Sequence, residues 1–188
     1  MRPDAAGKRW RQLAWLSLAE LLALSLWFSA SAVLPALSRE WDLGDGEGET
    51  GAPAVGNLPD VWSTRALMVT STLGGALANA AVALWVDSLG PALALRAVTG
   101  ACLAGAYPPA MKIMATWFRE GRGLAIGILI GALTVGSATP HLIRGVTDLP
   151  WRQTLLVASA LAVAGALIVQ FLVAEGPHRF PAARFDAR

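Results

Sequence analysis

Two ionisable side chains stand where charge is least at home. Glu20 interrupts an otherwise apolar stretch over 13–37, and Arg96 lies about five residues into another that begins near Pro91. Charge at depth in hydrocarbon is costly, so such residues face a cavity or one another and mark ion or solute paths. Arg96 could hold the anionic group of a solute or serve in ion coupling, and Glu20 could pair with it or carry a proton. Duller readings stand beside these. Glu20, near the inner end of a long helix, could reach the headgroups, and Lys112, close to Trp117 and Arg119, reads as a snorkelling side chain. Other chemistry is thinly supported. Ser137 and His141 share a helix face at i, i+4, yet no oxyanion-hole signature accompanies them, so incidental polarity is the better reading than a protease dyad. The single cysteine, Cys102, allows no disulfide framework or cysteine metal site. No cluster of His, Cys and carboxylates suggests a metal, and no Gly-rich phosphate loop ends in Lys-Ser or Lys-Thr. The chain reads as a non-enzyme without a cofactor.

The elements that must position Glu20 and Arg96 are visible in the composition. Hydrophobic residues make up 55% of the 188, charged residues 15%, and mean hydropathy is +0.51. A typical soluble domain is about 25% charged. The deficit is concentrated: 66–86, 123–143 and 153–174 contain no charge. A bilayer core needs about 20 apolar residues of helix, so each can span. Adding 13–37 and 88–118 gives five spans and an all-α integral membrane protein. Expected segments are a basic cytoplasmic tail over 1–12, membrane helices over 13–37, 65–86, 89–118, 123–143 and 153–174, a polar loop over 38–64 and a tail over 175–188. Lys and Arg cluster at segment ends, and Trp10, Trp15, Trp41, Trp85, Trp117 and Trp151 lie near them, as interfacial residues do. The pI near 9.2 therefore points to headgroups and not to nucleic acid, for which no basic patch with interleaved aromatics exists. Lys8, Arg9 and Arg11 ahead of Ala30-Ser31-Ala32 mimic a signal peptide. The apolar stretch exceeds the core of about 7 to 15 residues that such peptides carry, so a retained first helix is expected.

Small residues pervade these spans. Gly74, Gly75, Gly100, Gly105, Gly127, Gly131 and Gly136 would weaken a soluble helix but let membrane helices approach closely, because association in lipid rests on van der Waals packing. Gly127-Ile-Leu-Ile-Gly131 is a small-xxx-small face, read as generic tight packing. Pro108-Pro109 is expected to kink the 89–118 helix and Pro140 to bend the next, breaks that neighbouring helices or a cavity can satisfy.

At this point the motifs add up to a family. "LALRAVTGACLAGAYPP" resembles the fourth helix of major facilitator superfamily transporters, where an Arg is followed four residues later by Gly; Arg96 and Gly100 stand there. "GNLPDVWSTRAL" is similar to the loop between that family's second and third helices, close to G-x-L-x-D-x-x-G-R-R. Gly56, Leu58, Asp60 and Arg65 match, whereas Ser63 and Thr64 replace the Gly and the first basic residue. "WFREGRGLAIGILIGALTVGSATPHL" resembles the following loop and fifth helix, and "WRQTLL" the start of the sixth. The resemblance covers most of the chain but half of an architecture of twelve helices in two halves. It implies secondary transport by alternating access, with Asp60 and Arg65 latching an inner gate, in the plasma membrane.

One segment does not fit. The resemblance places a second helix just after Trp41, where the chain instead reads "WDLGDGEGETGAPAVGNLPD" over 41–60. Asp45, Glu47 and Glu49 would each cost about 3 kcal/mol at mid-depth, so this stretch is expected to stay in water. Charge counting tests the consequence. With Arg96 and Lys112 set aside, five literal spans divide the remaining basic residues six to seven between the inner and outer sides, with no bias. One extra crossing between Trp41 and Asp60 leaves Arg39, Arg144 and Arg152 outside and puts the rest inside, the positive-inside pattern. The downstream sequence is arranged as if for a helix that is absent. The expectation is a longer transporter shortened by internal deletion or a local frame change, ending in the central loop. Its implied partners are the bilayer, a small solute, and a second half or another copy of the chain. A non-transporting remnant, subunit or scaffold is the alternative.

Overall fold

The computed structural model describes residues 3–40, 63–146 and 149–178, and among them there are six helices and no strand. These are α1 (Pro3–Glu40), α2 (Thr64–Trp85), α3 (Leu89–Ala104), α4 (Tyr107–Trp117), α5 (Arg122–Val146) and α6 (Trp151–Leu172). Among the described residues five helical stretches are long and apolar enough to span a bilayer, with α3 and α4 together making one, Leu89–Trp117. The polar segment 41–60, with Gly56 and Asp60, lies outside the described residues.

Local chemistry sets the helix ends. The Ser63 side chain accepts from the Ala66 N–H at 3.2 Å and caps α2. α1 begins at Pro3, so the basic stretch expected as a tail is helical almost to its start; proline suits a first helical position, where its missing N–H would have no partner anyway. The kink expected at Pro108-Pro109 is instead a break just ahead of them. The N–H groups of Gly105 and Ala106 turn back onto the carbonyls of Cys102 and Leu103 at 2.9 and 3.0 Å. The two prolines then fall in the opening turn of α4, where they remove no helical hydrogen bond. Pro140 lies inside α5, which continues to Val146; the carbonyl it deprives of a donor is that of Gly136, four residues back.

Contacts between helices fix their directions. α6 runs antiparallel to α1, with Gln12 bonded to Leu172, Gly165 against Ala19, and Trp151 bonded to Glu40. It also runs antiparallel to α2, since Arg65 reaches Val173 while Arg152 reaches Ala83. α5 runs with α1, because Ala125 and Leu129 join the cluster around Leu13 and Leu16 while Gly136 meets Leu21. α6 thus lies between α1 and α2, and those two helices run in the same direction. Glu40 and Ser63 consequently stand at opposite ends of the bundle. Three buried clusters fill its length: Leu13, Leu16, Met68 and Met114 at the basic end, Leu26, Ala76, Leu103 and Ala162 midway, and Val33, Val82 and Leu155 beyond. Leu77, Leu84, Trp85, Leu142 and Phe171 point outward, which is the bilayer-facing surface of an integral membrane protein.

Candidate functional site

Four helices meet at Asn79. This residue of α2 is fully buried, and all four hydrogen-bonding positions of its amide are filled. Its Nδ2 donates to the Leu155 carbonyl and to Ser159 Oγ of α6, both at 3.0 Å. Its Oδ1 accepts from Ser29 Oγ of α1 at 3.1 Å and from Arg96 Nη1 of α3 at 2.7 Å. Arg96 Nη2 continues to the main-chain carbonyls of Trp27 at 2.9 Å and Leu26 at 3.3 Å, and Nη1 makes a longer bond to Ser29 Oγ at 3.4 Å. Every acceptor on the guanidinium is therefore neutral, and its Nε has no partner among the described residues. α2 and α3 pack beside this network, with the Thr99 carbonyl and the Cys102 side chain at ordinary contact distance from where a Cβ on Gly75 would stand.

Glu20 lies lower on α1 and is 0% exposed. Among the described residues neither of its carboxyl oxygens has a hydrogen-bond partner, and neither does the buried hydroxyl of Ser17 three residues earlier on the same face. Leu16, one turn back, belongs to the apolar cluster with Met68, Ile113 and Met114. A carboxyl in such surroundings without hydrogen bonds is costly while it carries charge. The structure does not join Glu20 to Arg96. The guanidinium anchors about two turns further along α1, on the order of 10 Å away at 1.5 Å per residue.

Both ends of the bundle are clasped. At the basic end the stretch after α6 is pinned to three helices. Gln12 donates to the Leu172 carbonyl at 3.1 Å and accepts from the Ala174 N–H at 2.9 Å. Arg65 bonds the Val173 carbonyl at 3.4 Å, Trp117 the Ala174 carbonyl at 2.8 Å, and the Gly176 N–H donates to Thr116 Oγ1 at 2.7 Å. At the other end Arg152 pairs with Asp87 and caps the end of α2 through the Ala83 carbonyl at 2.8 Å, while Trp151 donates to Glu40.

The remaining candidate residues scatter. Gly100 is buried on α3; Gly105 sits so close to Ser71 of α2 that a Cβ would strike its hydroxyl. Gly136 presses on the main chain of Leu21, whereas nothing stands within 4 Å of where side chains at Gly127 and Gly131 would begin. Pro109 and Pro140 are buried and Pro108 is exposed. Ser137 Oγ donates to the Thr134 carbonyl at 2.6 Å and His141 is exposed. Asn79, Ser29, Ser159 and Ser17 escaped the sequence reading. Asn79 alone carried a signal, as the only amide within 66–86.

Apolar helices long enough to cross a bilayer, with an arginine, an amide and a carboxyl turned inward, define a multi-pass membrane protein with an internal polar site. The profile of the Major Facilitator Superfamily matches residues 50–187, well over half of the chain, and the protein belongs to that superfamily. No curated protein matches it. The superfamily is one of transporters.

Proposed function

We propose that this chain forms one half of a secondary transporter for a small solute, working by alternating access against a second half or another copy of itself in the plasma membrane. The observation that carries the reading is the pair of inward-turned charged residues, Arg96 held by neutral acceptors and Glu20 held by none. A bundle built for stability alone would satisfy or omit such groups. Arg96 meets the solute or the coupling ion, and Glu20 carries a proton. The basic end is cytoplasmic by the positive-inside rule, and Asp60 with Arg65 latches that end. The parallel course of α1 and α2 favours a second reading, a non-transporting subunit or remnant, because the superfamily's halves pass the membrane once more between those two helices. Vesicles containing only this chain and a trapped pH-sensitive dye decide between them. Solute-dependent proton movement that disappears in Glu20→Gln supports transport. Background signal across sugars, amines and organic anions supports the remnant.

A further inference from the structure

We infer that the basic end of the bundle carries a site for the headgroup of an anionic phospholipid, centred on Arg9 and Trp10 of α1 and the turn between α4 and α5. The inference goes beyond the transporter reading and does not depend on it. Arg9 lies against aromatic faces, its guanidinium carbon 5.7 Å from the centre of the Trp10 ring and 5.5 Å from that of Phe118. The two rings meet edge to face, with centroids 5.4 Å apart and planes at 75°. Phe118 is buried, which fixes the stack, whereas Trp10 is 42% exposed. Arg9 Nε has no hydrogen-bond partner among the described residues, and the contacts described for this side chain are the two rings. Stacking of this kind holds a guanidinium in place without neutralising it. Its charge is left for a group from outside the chain to meet.

The turn brings further positive charge to the same place. Phe118 ends α4, and the chain turns through Gly121, whose φ of 74° suits glycine, into α5 at Arg122. Arg122 closes the turn, its Nε donating to the Phe118 carbonyl at 2.6 Å and its Nη2 to the Ala115 carbonyl at 3.3 Å. Arg119 is exposed within the turn. The first turn of α5 holds no acidic residue, so no carboxylate there offsets the positive end of the helix dipole. On α1, Lys8 and Arg11 flank the Arg9–Trp10 pair and are exposed. Among the described residues of this end, the acidic groups set against them are Glu120, exposed, and Glu175, half-buried. Positive charge is in excess.

Depth distinguishes a lipid from a free anion as the occupant. Three apolar stretches have their ends here: Gly7–Ser29 begins, Leu89–Trp117 stops just before Phe118, and Arg122–Ile143 begins. The stack of Arg9 on Phe118 therefore stands at headgroup level, where an indole such as Trp10 keeps one side apolar and the other wet. Leu124 and Ile128, just inside α5, are 60% and 40% exposed and offer acyl chains a surface below the headgroup. A phosphodiester brings one negative charge and oxygens that a guanidinium can bond in pairs. An anionic headgroup adds nothing to oppose that charge, whereas a zwitterionic one carries a cation that this end repels. Basic pockets between membrane helices take anionic headgroups on the same physical grounds.

The test uses the purified full-length chain in mild detergent with dioleoylphosphatidylglycerol or dioleoylphosphatidylcholine, and native mass spectrometry reads the lipid retained. The native chain is expected to retain the glycerol lipid in preference to the choline lipid. Arg9→Gln should weaken that retention about fivefold, the worth of one basic residue near an anionic surface, and Arg9→Lys should weaken it less. Arg39→Gln, near the far end of α1, should leave it unchanged. Equal retention of the two lipids overturns the inference. So does a preference that survives Arg9→Gln, or one that falls as much in Arg39→Gln, which would mark diffuse attraction by net charge. Release of the lipid by inorganic phosphate, beyond that caused by sodium chloride at equal ionic strength, means a free-anion site and also overturns it. Should Arg9→Gln fail to fold, Arg9→Lys carries the comparison, and unchanged retention there overturns the assignment to Arg9.

Discussion

Asn79 and Glu20 are both polar and both fully buried, yet they stand in opposite situations. Asn79 is saturated with hydrogen bonds to three other helices, so replacing it by Leu takes a partner from Arg96, from Ser29 and from Ser159 at once, though each keeps another. A lost hydrogen bond costs about 0.5 to 1.5 kcal/mol, and about 1.5 to 3 where one partner is charged. Asn79→Leu should therefore lower unfolding stability by about 3 kcal/mol or more, read by denaturation in mild detergent. Glu20→Gln removes a charge-bearing group that has no partner to lose. Its stability should stay within about 1 kcal/mol of the native chain or rise, while any proton movement disappears. Loss of stability at Glu20 equal to that at Asn79 would mean the carboxyl is a structural tie.

Among the elements, α5 is held differently from the rest. The described side-chain hydrogen bonds of Thr134, Ser137 and Thr139 stay within the helix, and its close approach to α1 rests on Gly136 against Leu21. A methyl at that point would push the helices apart. Gly136→Ala should cost about 1 to 3 kcal/mol, whereas Gly127→Ala and Gly131→Ala, with open space around them, should be neutral or raise stability by up to about 1 kcal/mol through helix propensity. Thermal unfolding of the three variants side by side checks the contrast. If all three behave alike, α5 packs some other way. The stretch after α6 is the opposite case, tied by Gln12 through two hydrogen bonds. Gln12→Leu should lower stability by about 1 to 3 kcal/mol and speed proteolysis after Val173, measured by limited digestion.

At the scale of the whole molecule, the bond between Gln12 and Ala174 places the start of α1 and the end of α6 at one end of the bundle. Reporters fused to the two termini should therefore report the same side of the membrane, and single cysteines at Ser63 and Ser88 should label from opposite sides. Termini on opposite sides would contradict the directions of these helices. The same geometry explains the distribution of basic residues: Arg65, Arg119 and Arg122 stand with Lys8, Arg9 and Arg11, while Arg39 and Arg152 lie at the far end.

Much of this was legible from residue types because hydrocarbon is an unforgiving solvent. A run such as 153–174 has few places to go other than across it, and Glu20 and Arg96 announced themselves by breaking such runs. Helix ends at Thr64, Arg122 and Trp151 fall within about two residues of the sequence boundaries. What composition left open was nearly every relation between helices. Ser29, Asn79 and Ser159 look like spacers in Ala-rich segments, and Gly127 and Gly136 look alike. Tertiary packing alone decides that Asn79 gathers three helices and that Gly136 touches a neighbour and Gly127 does not, whereas the parallel course of α1 and α2 was already hinted at by the distribution of basic residues. Apolar burial is set by each residue's own transfer free energy, whereas hydrogen bonds and close contacts depend on which distant residue arrives.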